Sequence, residues 1–222
     1  MFLSAGKNER LLENELPSHD PAVLFGIWLE EWRGLVSPHE DPHAVSISTA
    51  VDNKPSSRMV LMKDHSTEGI TFCTNSDSRK GRQLEANPHA SMLFNWPKAH
   101  RQVRVEGVIQ KLPGEVGDSY WIKRPLESRI SQKASPQSTI IKNEALQERR
   151  LSVAADAAHN GEEAVARPPA WNAYLLRPSY FEFWQGQNDR LHDRICFSLE
   201  KPDESEKGCV LVGDWHMFRL AP

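Results

Sequence analysis

The sequence predicts a mainly β protein of the α+β class, built as an antiparallel barrel with flanking helices. Many short segments alternate apolar and polar residues with a period of two, and turn residues separate them, as between antiparallel strands. Helical patterns are few, and they do not alternate with the strands as they would around a parallel sheet. The chain has 222 residues, 39% of them hydrophobic, which is enough for one substantial core.

We expect a single domain over residues 20–222, preceded by a flexible arm over residues 1–19. The opening residues, up to about Pro17, lack periodicity and are largely polar. A length of 222 residues fits one domain more naturally than two. The first ten residues, MFLSAGKNER, contain too short an apolar part for a signal peptide.

The composition favours neither a nucleic-acid partner nor a membrane partner. The formal net charge is -3, so any basic cluster must be local, and no run approaches the roughly 20 apolar residues of a membrane span. The three cysteines, Cys73, Cys196 and Cys209, are scattered and odd in number, which predicts neither a disulfide framework nor a metal site. A reducing compartment fits this pattern, and we expect a cytoplasmic protein.

The first helix is predicted over Pro21–Trp32, because Asp20 precedes Pro21 and apolar residues follow at helical spacing. Beyond it the pattern changes to the period of two that is typical of strands. Strands are predicted over His43–Val51, Ser56–Asp64, Gly69–Asn75, Ala90–Trp96 and Arg101–Leu112.

Further helices and strands are predicted in the second half of the chain. One helix begins near Ser78, a second ends before Pro125, and a linker over residues 160–169 follows the last. The second and last helices are predicted over Gly114–Lys123 and Asn143 to about His159. The final strands are predicted over Tyr180–Gln185, Arg190–Leu199 and Val210–Leu220, with a solvated loop over residues 200–208.

Two cations stand at an unfavourable place in SRKGRQL, residues 78–84. If Ser78 caps a helix, Arg79 and Lys80 lie in its first turn, where the helix dipole is already positive. A phosphate group at this position would accept from the free backbone N–H groups and from both side chains. The alternative is that both side chains bend away into solvent.

Other polar side chains form candidate anion contacts along the strands and helices. Arg58 and Lys63 are an odd number of residues apart on one strand, which predicts two separate contacts on opposite faces. Tyr120 and Arg124 lie one turn apart on a helix that Pro125 ends, and Ser128 is predicted in the loop beyond. A phenol, a guanidinium and a hydroxyl would suit a phosphate dianion, although an ordinary helix surface offers the same residues.

The segment RLHDR is the most unusual local pattern. If it is part of a strand, Arg190, His192 and Arg194 project from one face and form a row of positive or titratable groups. Such a row requires something anionic or electron-rich against it. Nearby, Trp184 could pack on a flat heterocycle, although a core tryptophan is the commoner role.

Three further observations complete the set of candidates. Gln102 lies on the polar face of an alternating strand, and the loop SPQST offers the amide of Gln137 and the hydroxyl of Ser138. His39 and His43 in HEDPH have helical spacing, but Pro42 opposes a helix there and no third ligand is evident, so we expect no metal site.

Taken together, RMVLMK, TNSDSRKGRQLEANP, RQVRVEG, YWIKRP, QST, EFWQGQNDRLHDR and the final RLAP resemble the pyridoxamine 5'-phosphate oxidase family. The resemblance runs from about Asp20 to Pro222. It implies an FMN-binding split β-barrel that forms a homodimer, with each flavin held between the subunits. It also implies an enzyme of vitamin B6 salvage that oxidises pyridoxine or pyridoxamine 5'-phosphate to pyridoxal 5'-phosphate with O2 as acceptor.

The resemblance also implies roles for individual residues. For FMN it implies contacts from Arg58, Met59, Val60, Leu61, Cys73, Thr74, Arg79, Lys80, Gln102, Gln137, Ser138, Trp184 and Arg194. For the substrate phosphate it implies Lys63, Tyr120, Arg124 and Ser128. Arg190 and His192 would lie at the substrate ring as catalytic residues, while Arg194 would stabilise the negative charge of the reduced flavin.

Three departures from the family pattern and two alternative functions stand beside this interpretation. Residues 131–136 lack the usual glycine-and-alanine start of their loop, and Asn172 and Ala173 replace the customary glycine pair. The N-terminal arm lacks the Arg and Tyr pattern that some members fold over the substrate. A phenazine-type flavin oxidase shares similar motifs, but its substrate carries no phosphate to bind. A non-catalytic carrier of pyridoxal phosphate or flavin would have no need of Arg190 and His192.

Overall fold

The computed structural model of the chain describes residues 10–37, 39–203 and 205–222. The helices are α1 (Pro21–Arg33), α2 (Arg79–Ala86), α3 (Gly114–Ile122), α4 (Leu126–Ala134) and α5 (Asn143–Asn160). The strands are β1 (Ala44–Val51), β2 (Lys54–Ser66), β3 (Gly69–Asn75), β4 (His89–Trp96), β5 (Arg101–Lys111), β6 (Trp171–Gln185), β7 (Asp193–Ser198), β8 (Val210–Val212) and β9 (Trp215–Arg219).

The strands form a closed antiparallel barrel, as the sequence predicts. Six of them follow the order β3-β2-β1-β4-β5-β6, and β6 pairs back to β3 to close the barrel. The long strand β6 makes this possible, because its first part pairs with β3 and its second part pairs with β7. Strands β7, β9 and β8 extend the sheet beyond the barrel.

A β-bulge interrupts the alternation of β2 at Lys63. Met62 pairs with Phe72 whereas Asp64 pairs with Thr71, so Lys63 is the extra residue. The prediction that Arg58 and Lys63 face opposite sides assumed unbroken alternation along this strand. The bulge therefore removes the basis of that prediction.

The barrel interior is filled by aromatic and branched side chains, with α1 packed over one end. Phe183 is fully buried, and its ring lies 5.2 Å from Trp28 of α1 and 5.8 Å from Phe197, both edge to face. Its ring also stacks on Phe181, with centroids 6.0 Å apart. Phe183 thus joins the helix to two strands of the sheet.

We expect Phe183→Ala to lower the free energy of unfolding by about 3–5 kcal/mol, since it removes a fully buried ring and leaves a cavity. Denaturant unfolding followed by tryptophan fluorescence would measure the loss. Val108→Ala is a suitable control, because Val108 is 41% exposed on the same sheet. Equal stability of the two variants would contradict this account of the core.

The predicted helices form, and the structure adds α4. Ser78 caps α2, and α3 and α5 lie within one or two residues of the predicted segments. Ser128, however, lies in α4 and not in a loop. The prediction is wrong because Pro125, which follows α3, also occupies the N-cap position of α4. Proline is tolerated at the start of a helix.

The predicted strand over Arg190–Leu199 begins late. Strand β7 starts at Asp193, and Arg190 has a φ of 66°, in the left-handed region, so it belongs to a turn. Arg190, His192 and Arg194 consequently do not form a row along one strand. The single strand predicted over Val210–Leu220 is also wrong, because Gly213, with a φ of 60°, begins a tight turn between β8 and β9.

The predicted arm lies partly outside the described residues, which begin at Arg10. Leu11 donates its backbone N–H to Asp193, 3.1 Å away, and Leu16 is buried against the core. No helix of the described residues is long and apolar enough to cross a membrane. In the described part of the chain, no three histidine, cysteine or acidic side chains are grouped as metal ligands.

Candidate active site

The first cluster of predicted site residues lies where α2 meets the barrel, and we name Arg58, Arg79 and Lys80 the first basic cluster. Lys80 is only 9% exposed, and its ammonium group donates to Thr74 at 3.0 Å and to Gln137 at 3.4 Å. Burial, with the nearby Arg58 guanidinium, lowers the pKa of Lys80. The alternative that both side chains bend into solvent is therefore wrong for Lys80, whereas Arg79 is exposed.

Arg58 is held by neutral oxygens. Its guanidinium donates to Thr49 at 2.8 Å, to Ser56 at 2.9 Å and to Gln83 at 3.0 Å. Burial, and then the proximity of Arg79, lower its pKa. Within the described residues no carboxylate lies in ion-pair distance of the first basic cluster. Cations gathered in this way are suited to an anion that comes from outside the chain.

The backbone before α2 is compact, which explains the glycine inside the helix. Ser78 accepts from the N–H of Gly81 at 3.2 Å and donates to the carbonyl of Asn75 at 2.7 Å. A Cβ at Gly81 would lie 2.2 Å from the carbonyl oxygen of Ser76. Only glycine therefore allows this turn to place Arg79 and Lys80 beside the barrel.

Lys63, Tyr120, Arg124 and Ser128 are named the second basic cluster. Burial raises the pKa of Cys73 to about 11, and the charges of Lys63 and Arg124 act in the opposite direction. Arg124 donates to the carbonyl of Ser128 at 3.5 Å. Burial also raises the pKa of Tyr120, with contributions from Asp64 and Cys73.

Two buried tryptophans position Arg124. Its guanidinium carbon lies 5.4 Å from the ring centre of Trp171 and 5.9 Å from that of Trp121, both within cation–π range. Its Nε is buried and has no partner among the described residues. Sequence reasoning missed Trp121 and Trp171, and it also missed Gln83, because only the fold brings them to the arginines.

An open cavity of about 640 Å³ lies beside the second basic cluster. Arg124, Ser128 and Gln137 line it together with residues of α4 and α5. The volume is within the range of small-molecule sites. Ser138, next to Gln137, is exposed and has a φ of 70°. Of the predicted strand residues, Met59 and Leu61 are exposed on the outer face of β2, and Val60 packs against the core.

The third group of predicted residues lies elsewhere, on β5, β6 and the start of β7. Gln102 pairs with Trp184, which in turn pairs with Arg194. The ring of His192 lies 4.8 Å from that of Trp184. The backbone N–H of Gln187 donates to Nδ1 of His192 at 3.0 Å. In the neutral imidazole the proton therefore lies on Nε2, which can donate a hydrogen bond.

Asp193 organises the loop that carries Arg190 and His192. Its carboxylate accepts from Gln187 at 2.6 Å, from Arg219 at 2.7 Å and from the N–H of Leu11 at 3.1 Å. Burial would raise its pKa, but these hydrogen bonds together hold the pKa below the ordinary value of 3.8. The buried carboxylate thus joins three separate parts of the chain.

We expect Asp193→Asn to destabilise the protein by about 2–3 kcal/mol near neutral pH, because the amide cannot accept all of these bonds. The folded pKa is lowered, so the contribution of Asp193 is present above its unfolded pKa and is lost as the pH falls through its folded pKa. Unfolding measured from pH 7 to pH 3 should show the two proteins converging on the acid side. A constant difference over that range would contradict the assignment.

The third group is separated along β6 from the residues around Cys73. On β6, Cys73 pairs with Ala173 whereas Arg194 pairs with Trp184, eleven positions further along. At about 3.3 Å per residue this corresponds to roughly 35 Å along the strand. The predicted residues thus fall at two separate positions along this strand.

Comparison with known proteins identifies the family of the chain. The family model described as pyridoxamine 5'-phosphate oxidase matches residues 30–155, and the model of the pyridoxine 5'-phosphate oxidase C-terminal dimerisation region matches residues 171–222. A protein of Caenorhabditis elegans is 45% identical over 218 residues, which cover 96% of this chain and 90% of that protein. The pyridoxine/pyridoxamine 5'-phosphate oxidase of Herminiimonas arsenicoxydans is 41% identical, with 91% and 90% of the two chains covered.

A solved structure has the same architecture over nearly the full length. PhzG from Burkholderia lata, in complex with tetrahydrophenazine-1-carboxylic acid, matches with a TM-score of 0.82 and 28% identity, covering 98% of this chain and 100% of that one. Together with the family matches, this likeness establishes the split barrel. The chain belongs to the pyridoxamine 5'-phosphate oxidase family.

Proposed function

We propose that the protein is an FMN-dependent oxidase that converts pyridoxine or pyridoxamine 5'-phosphate into pyridoxal 5'-phosphate with O2 as acceptor, acting as a cytoplasmic homodimer. Membership of the family supports the reaction class. The observation that carries the proposal is the pair of basic clusters without carboxylate partners in the described structure. Each cluster suits one phosphate group, as an FMN-dependent enzyme of a phosphorylated substrate requires.

The first basic cluster fits the phosphate of FMN. Lys80 is buried with only neutral partners, and an unpaired buried ammonium is costly unless an anion joins it. Arg58, Arg79 and Lys80 would bind the phosphate, and Thr74, Gln137 and Ser138 would add hydrogen bonds. When bound, FMN would supply the acceptor for the electrons released at the 4' carbon of the substrate, and O2 would then take them up.

The second basic cluster would bind the substrate phosphate. Lys63 and Arg124 provide the charge, while Tyr120 and Ser128 provide hydroxyl groups. The cation–π contacts with Trp121 and Trp171 limit the motion of Arg124, so less conformational entropy is lost when the phosphate binds. A phenazine oxidase, whose substrate carries no phosphate, would have no need of this cluster.

The homodimer follows from the separation of the third group along β6. Gln102, Trp184 and Arg194 would complete the flavin site of the partner subunit, since they lie eleven positions along β6 from the strand pair that includes Cys73. A row of outward residues across the sheet, from Met59 through Ser46 to Leu93, offers a surface for the second copy. Met59 is 62% exposed and Leu93 is 38% exposed. The C-terminal match is to a dimerisation region, which supports this assembly.

Arg190 and His192 would act at the substrate ring. The hydrogen bond from Gln187 leaves Nε2 of His192 as a donor, suited to an oxygen substituent of the pyridine. Arg190 is exposed at a turn, and its guanidinium makes no hydrogen bond or ion pair within the described residues, so it can reach a ligand. Both residues would orient the substrate so that its reacting carbon faces the flavin.

Purified protein provides the test. We expect a yellow protein that, without oxygen, loses its oxidised flavin absorbance when pyridoxine 5'-phosphate is added, and that under air forms pyridoxal 5'-phosphate and peroxide. Turnover of tetrahydrophenazine-1-carboxylic acid instead would favour the second candidate, a phenazine-type oxidase. The likeness to PhzG suggests this compound as the substrate to test. A colourless protein that ignores added FMN would favour a carrier.

A further inference from the structure

Glu182 is a buried carboxylate that no predicted role includes. Its side chain is 10% exposed, and it lies on β6 between Arg104 of β5 and Cys196 of β7. Oε1 accepts from Nε of Arg194 at 2.9 Å, and Oε2 accepts from Nη2 of the same guanidinium at 3.0 Å. Arg104 and the hydroxyl of Tyr180 also donate to Oε2. The contact with Arg194 is thus bidentate, and this geometry fixes the orientation of a guanidinium most strongly.

These contacts orient the whole guanidinium of Arg194. Its Nη1 donates to the carbonyl of Ala221 at 2.8 Å, so a second, independent acceptor holds the opposite side. After these bonds, one N–H remains on each terminal nitrogen. The remaining N–H groups define the edge that the arginine can present to a ligand.

The charge around Arg194 differs from that of the first basic cluster. Arg58, Arg79 and Lys80 have no carboxylate in ion-pair distance within the described structure, whereas Arg194 already has Glu182. An arginine whose charge is balanced in this way is poorly suited to a phosphate dianion. It is well suited to neutral carbonyl or ring-nitrogen acceptors, such as those along the edge of an oxidised isoalloxazine.

We propose that Glu182 is a positioning residue, which fixes Arg194 so that its free N–H groups meet the polar edge of the flavin ring of the partner subunit. The inference rests on the proposed function and adds to it a residue that touches neither flavin nor substrate. Arg104 supports the same carboxylate from the other side, and Glu106 in turn binds Arg104. The four side chains together carry no net formal charge.

The test is FMN binding to the apo-dimer, followed by the quenching of flavin fluorescence. Glu182→Gln keeps the shape, but its amide NH2 group faces an N–H of Arg194, so the guanidinium must turn. We expect FMN affinity to fall about tenfold, the effect of losing an oriented hydrogen bond to a charged group. Glu182→Asp keeps the charge but shortens the side chain by one methylene, so the FMN affinity of this variant should fall less. Glu68→Gln is the matched control, because Glu68 is exposed and pairs with Arg177 of β6 and not with Arg194, and we expect its affinity within about twofold of wild type.

A double-mutant cycle separates positioning from a general structural role. If Glu182 acts through Arg194, Glu182→Gln should weaken FMN binding by less than about twofold in an Arg194→Lys background. Independent, multiplying effects would overturn the inference, and so would a Glu182→Gln protein with wild-type affinity. Thermal unfolding of each apo-protein checks that the variants are folded, and Glu182→Asp serves if Glu182→Gln is not. A wild-type protein that binds no FMN would contradict the proposed function itself.

Discussion

Replacing Arg190 with alanine is expected to lower turnover of pyridoxine 5'-phosphate by about a hundredfold or more, as expected for a residue that orients and stabilises the reacting substrate. FMN affinity and thermal stability should stay close to those of wild type. The side chain is exposed and makes no hydrogen bond or ion pair in the described part of the chain. Alanine keeps the Cβ at this left-handed position, so the change adds no new backbone strain. Steady-state kinetics with parallel FMN titration measures both quantities.

Leu191→Ala is the matched control for Arg190→Ala. Leu191 is 60% exposed in the same loop, and its backbone carbonyl, which the change preserves, accepts from Arg10. We expect this variant to keep its turnover within about twofold, since isolated surface substitutions have small effects. Wild-type turnover in Arg190→Ala would refute a role at the substrate ring.

Replacing Lys80 with methionine is expected to weaken FMN binding by about a hundredfold, because it removes a desolvated charge that the phosphate would pair with. The apo-protein should not lose stability to a similar degree. Its Lys80 is buried beside Arg58 without a carboxylate, so the charge is unfavourable until an anion arrives. A variant that binds FMN more weakly but is no less stable as the apo-protein would identify Lys80 as a ligand-binding lysine and not a structural one. Fluorescence titration and thermal unfolding of the apo-protein provide the two measurements.

Arg82→Met removes the same charge from the same helix and serves as the control. Arg82 is exposed and donates only to the carbonyl of Asp77 within the described residues. Its loss should change FMN affinity by less than about threefold, since exposed charges are screened by solvent and salt. If the two variants weakened binding equally, the effect would be one of net charge and not of the first basic cluster.

Much of the secondary structure could be predicted, because its signals are local. The alternation within Gly69–Asn75 and the cap at Ser78 depend on residues close together in sequence. Two errors occurred where the same local sequence is compatible with two different structures. Pro125 ends α3 and also begins α4, and the polar residues before β7 could continue a strand or form a turn. Only the pairing of β7 with β6, which starts at Asp193, decides between those outcomes.

The site residues divide in the same way, into those that the local sequence indicates and those that only the fold brings together. The residue types in SRKGRQL and RLHDR predicted contacts with an anionic or electron-rich group, and this stays a prediction; the structure pairs Arg194 of RLHDR with Glu182. The partners were not predictable from either segment: Thr49 of β1 and Gln83 of α2 bind Arg58, and Glu182 of β6 binds Arg194 of β7. Hydrogen bonds of this kind depend on strand register, to which the pattern of a single segment is insensitive.

Local patterning was thus enough to specify the kind of fold and the family that the motifs resemble. The tertiary structure decided where the predicted site residues lie along β6. Cys73 pairs with the first part of this strand, whereas Trp184 and Arg194 pair in its last part. The physical reason is that periodicity and capping act over a few residues. Barrel closure and the distance along β6 arise only when strands far apart in sequence pair.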